Sequence, residues 1–144
     1  MTNENIAESY LSKCQARLKA LAVLLAEGDH SDVVREAQEL VELALKAMLR
    51  SIGVEPPKQH DVGALLVEHS ARFSADVREA LVRAAEISKE LRKDRELAFY
   101  GDVDFIPTVE YSEPDGRRAH ADAVWVFELA RRAVPRVNGE ARSV

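Results

Sequence analysis

Two arginines three residues apart, Arg92 and Arg95, with Phe99 and Tyr100 close behind, form the densest group of chemistry-bearing side chains in the sequence. On a helix, residues three and four apart share a face, so Arg92, Arg95 and Phe99 lie on one side. Paired guanidiniums offer forked N–H donors that match phosphate oxygens, and a neighbouring aromatic ring offers a stacking surface for a base. That chemistry is nucleotide or RNA binding. A plainer account uses the same residues: Asp94 and Glu96 neutralise the run, Arg95 lays its stem along the surface, and Phe99 and Tyr100 belong to the core. Mixed-charge helix ends are usually solvated faces, so spacing alone favours the plainer account.

His60 stands in the turn Pro56-Pro57-Lys58-Gln59-His60-Asp61. It could contact phosphate or transfer a proton at the mouth of a cleft, or it could bond a backbone carbonyl while Asp61 caps the next helix; the structural role is the more common one. Lys46 and Arg50, one turn apart, could line a pocket or reach its rim. No H-E-x-x-H, paired-cysteine, G-x-x-x-x-G-K-[ST] or G-x-S-x-G pattern occurs, so zinc hydrolysis, P-loop phosphate binding and serine-hydrolase chemistry have no motif. The histidines, His30, His60, His69 and His120, are scattered, with no two at metal-ligand spacing on one helix. Neither a metal nor another cofactor is expected.

These side chains need a scaffold, and apolar spacing predicts a helical one. Ile6, Tyr10, Cys14, Leu18, Leu21 and Leu25 recur at three or four residues and mark a first helix closed by Gly28, with Asp29 or Ser31 to cap a second. The stripe Val34, Ala37, Val41, Ala44, Met48 and Ile52 is widened by Leu40, Leu45 and Leu49, which marks the second helix as central and buried on more than one side. Gly53 and Pro56-Pro57 end it. Asp61 then caps a short helix through His69, and Ser74 a longer one that reaches Ala98 and carries Arg92 and Arg95. Residues 101–113 hold Asp102, Asp104, Glu110 and Glu113 and no basic residue, an acidic loop of net −4. Ser112, Pro114 and Asp115 form an N-terminal pattern for a last helix bearing Ala119, Ala123, Phe127, Ala130 and Val134, which Pro135 ends. The expected fold is all-α: an antiparallel bundle of four long helices and one short one, a single domain over residues 1–138 with a frayed tail at 139–144.

The 144 residues, 47% hydrophobic and 31% charged, suit one domain with one core. A single cysteine, Cys14, a start without a basic n-region and no apolar run of membrane-spanning length point to a soluble cytoplasmic protein. The net charge of −5 opposes wholesale capture of nucleic acid. It is unevenly spread, however. Residues 77–100 hold six basic and five acidic side chains and residues 115–144 hold six and four, so the stretches that would flank a cleft are net +1 and +2.

Two stretches, residues 37–66 (AQELVELALKAMLRSIGVEPPKQHDVGALL) and residues 91–102 (LRKDRELAFYGD), resemble HEPN domain proteins. These are small helical-bundle proteins of bacteria and archaea, often encoded beside a minimal nucleotidyltransferase. The resemblance implies an HEPN-like bundle, a homodimer and two functional traditions. Ribonuclease members place an Arg, then four to six residues, then a His, and two copies meet across a dimer cleft to cleave RNA without metal. On this chain the Arg falls on Arg95 with Tyr100 at the His position, or on Arg92 with Ala98 there. Neither alignment supplies a histidine. A Tyr ionises near pH 10 against about 6.5 for His, so at neutral pH only about one Tyr in a thousand is basic. In toxin members of the second tradition the motif extends to His-x-Tyr, and the partner nucleotidyltransferase attaches AMP to the Tyr. With Ala98 at the His position, Tyr100 falls on that modified residue.

Three expectations follow. The leading one is an HEPN component of a nucleotidyltransferase/HEPN, toxin-antitoxin-like pair. It binds nucleotide or RNA phosphate through Arg92 and Arg95, assisted by Phe99, Lys46 and His60, with Tyr100 an AMP acceptor. The second is a metal-independent ribonuclease toxin in which Arg95 and Arg92 stabilise phosphate charge and Tyr100 or His60 moves the proton. The third is a non-catalytic helical interaction module. The continuous run Val124-Trp125-Val126-Phe127 is too wide for one buried stripe and suits dimerisation.

Overall fold

The computed structural model describes residues 2–56, 58, 61–99 and 111–135, with residues 94–99 described by backbone alone. The chain runs through α1 (Asn3–Ala26), α2 (His30–Ser51), α3 (Val62–Glu68), a 3-10 turn (Ser70–Arg72), α4 (Ala75–Phe99) and α5 (Glu113–Ala133). Four long helices and a short one, with no strand among the described residues, make the all-α bundle that the apolar spacing predicts. Among the described residues no helix is long and apolar enough to cross a membrane. His60, Tyr100, most of the acidic loop and the tail lie outside the described residues, as do the side chains of Arg95 and Phe99.

Punctuation at the helix ends follows from side-chain chemistry. The Thr2 hydroxyl accepts the Asn5 N–H at 3.1 Å, which starts α1 three residues before Ile6. Gly28 and Gly53 adopt φ of +76° and +79°, which only glycine enters without strain. In each case the glycine N–H and the next N–H turn back on the helix: Gly28 to Leu25 and Asp29 to Leu24, Gly53 to Arg50 and Val54 to Leu49, all at 3.0–3.1 Å. Asp29, not Ser31, caps α2, its carboxylate accepting the Asp32 N–H at 3.4 Å while Ser31 is drawn into the helix and buried. At α4 the Ser74 hydroxyl donates to the Asp76 carboxylate at 2.7 Å. At α5 the Asp115 carboxylate accepts both the Ser112 N–H and its hydroxyl at 2.9 Å, the pattern expected from Ser112, Pro114 and Asp115.

α2 is the axis of the molecule. None of its residues is fully exposed, and it packs against α1, α4 and α5, more extensively than α4 and α5 pack on each other. Leu40, Leu45, Met48 and Leu49 are buried, and each such side chain contributes about 1.5–3 kcal/mol by leaving water. α1 runs antiparallel to α2, as three pairs along its length record. Arg50 donates to Asn3 Oδ1 at 3.4 Å, the Cys14 thiol faces the Leu40 carbonyl at 3.6 Å, and Arg17 lies 3.9 Å from Glu36. The buried face of α1 is rotated from the predicted stripe: Ala7 and Leu11 are buried with Cys14 and Leu21, whereas Tyr10, Leu18 and Leu25 are only partly covered. α1 lies against both α2 and α5, so its core face falls between the two neighbours. On α5 the predicted stripe from Ala119 to Val134 is buried throughout.

α3 is short and close to α4. A Cβ on Gly63 would come within 2.7 Å of the Ala85 Cα, so glycine permits this approach. Arg78 at the start of α4 ties the 3-10 turn down, its guanidinium reaching the Ser70 and Phe73 carbonyls at 3.2 and 2.9 Å. Arg72 donates to the Ile52 carbonyl beyond the end of α2, a cation at the negative end of a helix.

Candidate functional site

The site starts from Asp61. Its carboxylate Oδ1 accepts the Ala64 N–H at 3.2 Å and so caps α3, the role predicted for it. The same oxygen accepts Nη2 of Arg92 at 3.2 Å, a pairing across 31 residues that no local pattern announces. One carboxylate thus fixes the start of α3 and holds a guanidinium of α4 in place. The pair is open to solvent, with the Arg92 side chain 46% exposed and that of Asp61 35%. Such a surface pair adds about 0–1 kcal/mol to stability, so its effect lies in orienting the guanidinium. Arg95 and Phe99 follow on the backbone of α4 in the last two turns.

Lys46 is placed on α2, where its ammonium pairs with Glu42 at 3.3 Å. Glu42 also accepts from Gln38 at 2.7 Å, and Gln38 is only 2% exposed, so the lysine ends a polar chain running up α2 from the core. Arg50 bridges to Asn3 and lies 4.0 Å from Glu55, which ties the loop after α2 to the start of α1. These are the ion pairs and hydrogen bonds that hold Lys46 and Arg50.

Next to Arg92 in sequence, Leu91 and Glu90 of α4 meet Val34 of α2 and Ala119 and Asp122 of α5 around a cavity of about 20 Å³ that Arg92 does not line. The C-terminal half of α4 therefore lies beside the N-terminal parts of α2 and α5, which sets α4 antiparallel to both. Burial pushes the Asp122 carboxyl above its usual range, against the pull of Arg83 and Arg118. Arg83 itself stacks on the Trp125 ring at 4.2 Å from the centroid. Sequence reasoning missed Arg83, because nothing in the spacing of either helix pairs it with a ring 42 residues away.

The single cysteine is a disarmed nucleophile. Cys14 is buried, and burial pushes its thiol up to about 12. Among the described residues no three His, Cys, Asp or Glu side chains converge to hold a metal ion. What the structure shows at Arg92 is an oriented, half-open guanidinium, which is chemically able to contact an anion.

The family model for the HEPN domain matches residues 7–133, most of the chain. The protein therefore belongs to the HEPN domain family. Among solved structures, the crystal structure of ST0689, an archaeal HEPN homologue, matches with a TM-score of 0.68 and 19% identity, covering 90% of this chain and 98% of that one. At that identity the likeness is one of fold. A comparison with curated proteins finds no match.

Proposed function

We propose that this protein is the HEPN component of a nucleotidyltransferase/HEPN pair. In this reading it acts as a homodimer that binds nucleotide or RNA phosphate through Arg92 and Arg95 and offers Tyr100 as the acceptor of an AMP group. The seating of Arg92 carries the reading. Its guanidinium is oriented by Asp61 yet keeps close to half its surface open, which suits a phosphate contact better than a core tie. The net charges of +1 over residues 77–100 and +2 over residues 115–144 are compatible with a phosphate ligand despite the overall −5. Val82 on α4, 56% exposed, and the half-buried Val124 and Trp125 on α5 supply apolar surface for a second copy.

In the transfer, the Tyr100 phenolic oxygen attacks the α-phosphorus of ATP, pyrophosphate leaves with the bonding pair, and the phenolic proton passes to a base of the partner enzyme. Incubation with a minimal nucleotidyltransferase and ATP should add one AMP to the intact mass. Tyr100→Phe should abolish that gain, and an unmodified wild type or equal labelling of Tyr100→Phe defeats the acceptor assignment. Cleavage of RNA in EDTA that disappears in Arg95→Ala assigns ribonuclease chemistry instead. Unchanged nucleotide and RNA affinity in Arg92→Ala and Arg95→Ala leaves only the interaction module.

A further inference from the structure

At the end of the bundle where α1 stops and α2 and α5 begin, a cavity of about 680 Å³ opens between them. No described residue of α4 lines it, so it is a different place from the Asp61 and Arg92 pair. Ala22 and Leu25 of α1 give it an apolar wall, and His30, Glu113, Arg117 and His120 give it a polar one. Arg117 and His120 share a face of α5 with Glu113, at spacings of four and three residues. Arg117 pairs with Glu113, and its side chain is 70% exposed.

His30 supplies the decisive detail. Its Nδ1 is buried and has no hydrogen-bond partner among the described residues, because the ring edge lies against Gly116 of α5. A Cβ on Gly116 would sit 2.5 Å from that nitrogen. A buried ring nitrogen left without a partner costs about 1–3 kcal/mol, which leaves Nε2 as the remaining hydrogen-bonding atom of His30, a residue that lines the cavity. Of the three carboxylates nearby, Glu113 lines the cavity and is paired with Arg117, whereas Asp29 accepts from the Ser31 hydroxyl and the Asp32 N–H, Asp115 accepts twice from Ser112, and neither of these two lines the cavity. The positive ends of α2 and α5 both point here. The volume falls in the range of small-molecule pockets, about 300–1,000 Å³, and exceeds what a bare ion needs.

We propose that this cavity binds a small oxyanion carried on an apolar group of about one ring. Arg117, His120 and His30 donate to the oxyanion, and Ala22 and Leu25 receive the apolar part. The test uses phenyl phosphate, benzoate and inorganic phosphate, followed by calorimetry and by the imidazole resonances of His30 and His120. One of the ring-bearing probes should shift both imidazoles and bind about tenfold or more tighter than inorganic phosphate; which one binds decides between phosphate and carboxylate. Arg117→Ala and His120→Ala should each weaken binding several-fold, with Arg117→Lys between them and wild type, and Glu113→Gln should tighten it by releasing Arg117. Silent imidazoles with all three probes, binding indifferent to both alanine variants, or inorganic phosphate binding as well as the ring-bearing probes overturns the proposal.

Discussion

Gly63→Ala gives the sharpest test of how the site is positioned. The added Cβ would stand 2.7 Å from the Ala85 Cα and 2.9 Å from its Cβ, whereas carbon atoms settle at about 3.5–4.0 Å. α3 must therefore move off α4 by about 1 Å. Because the nearest atom is backbone, no side-chain rotation relieves the clash. Overpacking of this kind costs about 1–3 kcal/mol. Alanine returns up to about 1 kcal/mol of helix propensity over glycine, and less in a first turn. The clash wins, leaving a loss of about 1–2 kcal/mol. With a urea slope of about 2 kcal/mol/M, the unfolding midpoint should fall by about 0.5–1 M with the slope unchanged. Adding Ala85→Gly removes the 2.9 Å contact but not the 2.7 Å one, so the double variant should recover only in part. Gly28→Ala serves as the control: its Cβ meets nothing within 4 Å but inherits a φ of +76°, and it should lose about 1 kcal/mol from backbone strain alone. A Gly63→Ala midpoint at or above wild type would refute the close approach of α3 to α4.

Asp61→Asn keeps a competent cap for α3 but removes the charge facing Arg92; urea melts should show a loss under about 1 kcal/mol, and a loss above 2 would mean the pair is structural. Cys14 should react with a disulfide reagent at pH 8 no faster than the protein opens, because the thiol is buried and held near 12; prompt labelling in native buffer contradicts its placement. The Asp115 carboxyl lies below its usual range, first through the Ser112 N–H and then through the Ser112 hydroxyl. Its contribution is therefore complete above about pH 4 and fades as pH falls through the lowered value. Melting temperatures of wild type and Asp115→Asn should converge in acid, and parallel curves would exclude this linkage.

Chain punctuation was legible in the sequence because its causes are local. Gly28, Gly53, Asp61 and the Ser112–Asp115 pair act within a few residues of themselves, and the width of the α2 stripe announced a helix enclosed on several sides. What joins distant segments was not legible. The Asp61 oxygen shared with Arg92, the glycine-permitted contact of α3 with α4, and the stacking of Arg83 on Trp125 each need two helices already docked. Placement on α1 shows the same limit: a single stripe predicts one partner, and a helix seated against two turns its core face toward neither. For the candidate site, the sequence named Arg92 but not the carboxylate that aims it, and it treated His30 and His120 as scattered although the fold brings both to one cavity.

A helix enclosed along its whole length has a consequence for how the molecule comes apart. Peeling α1 or α4 from the bundle leaves the remaining helices leaning on α2, but no partial opening frees α2 without parting it from at least two neighbours. Amide hydrogens in the middle of residues 30–51 should therefore exchange only through global unfolding, while those of α3 escape through cheaper excursions. That hierarchy lets the polypeptide loosen around Asp61 and Arg92 without disturbing its hub.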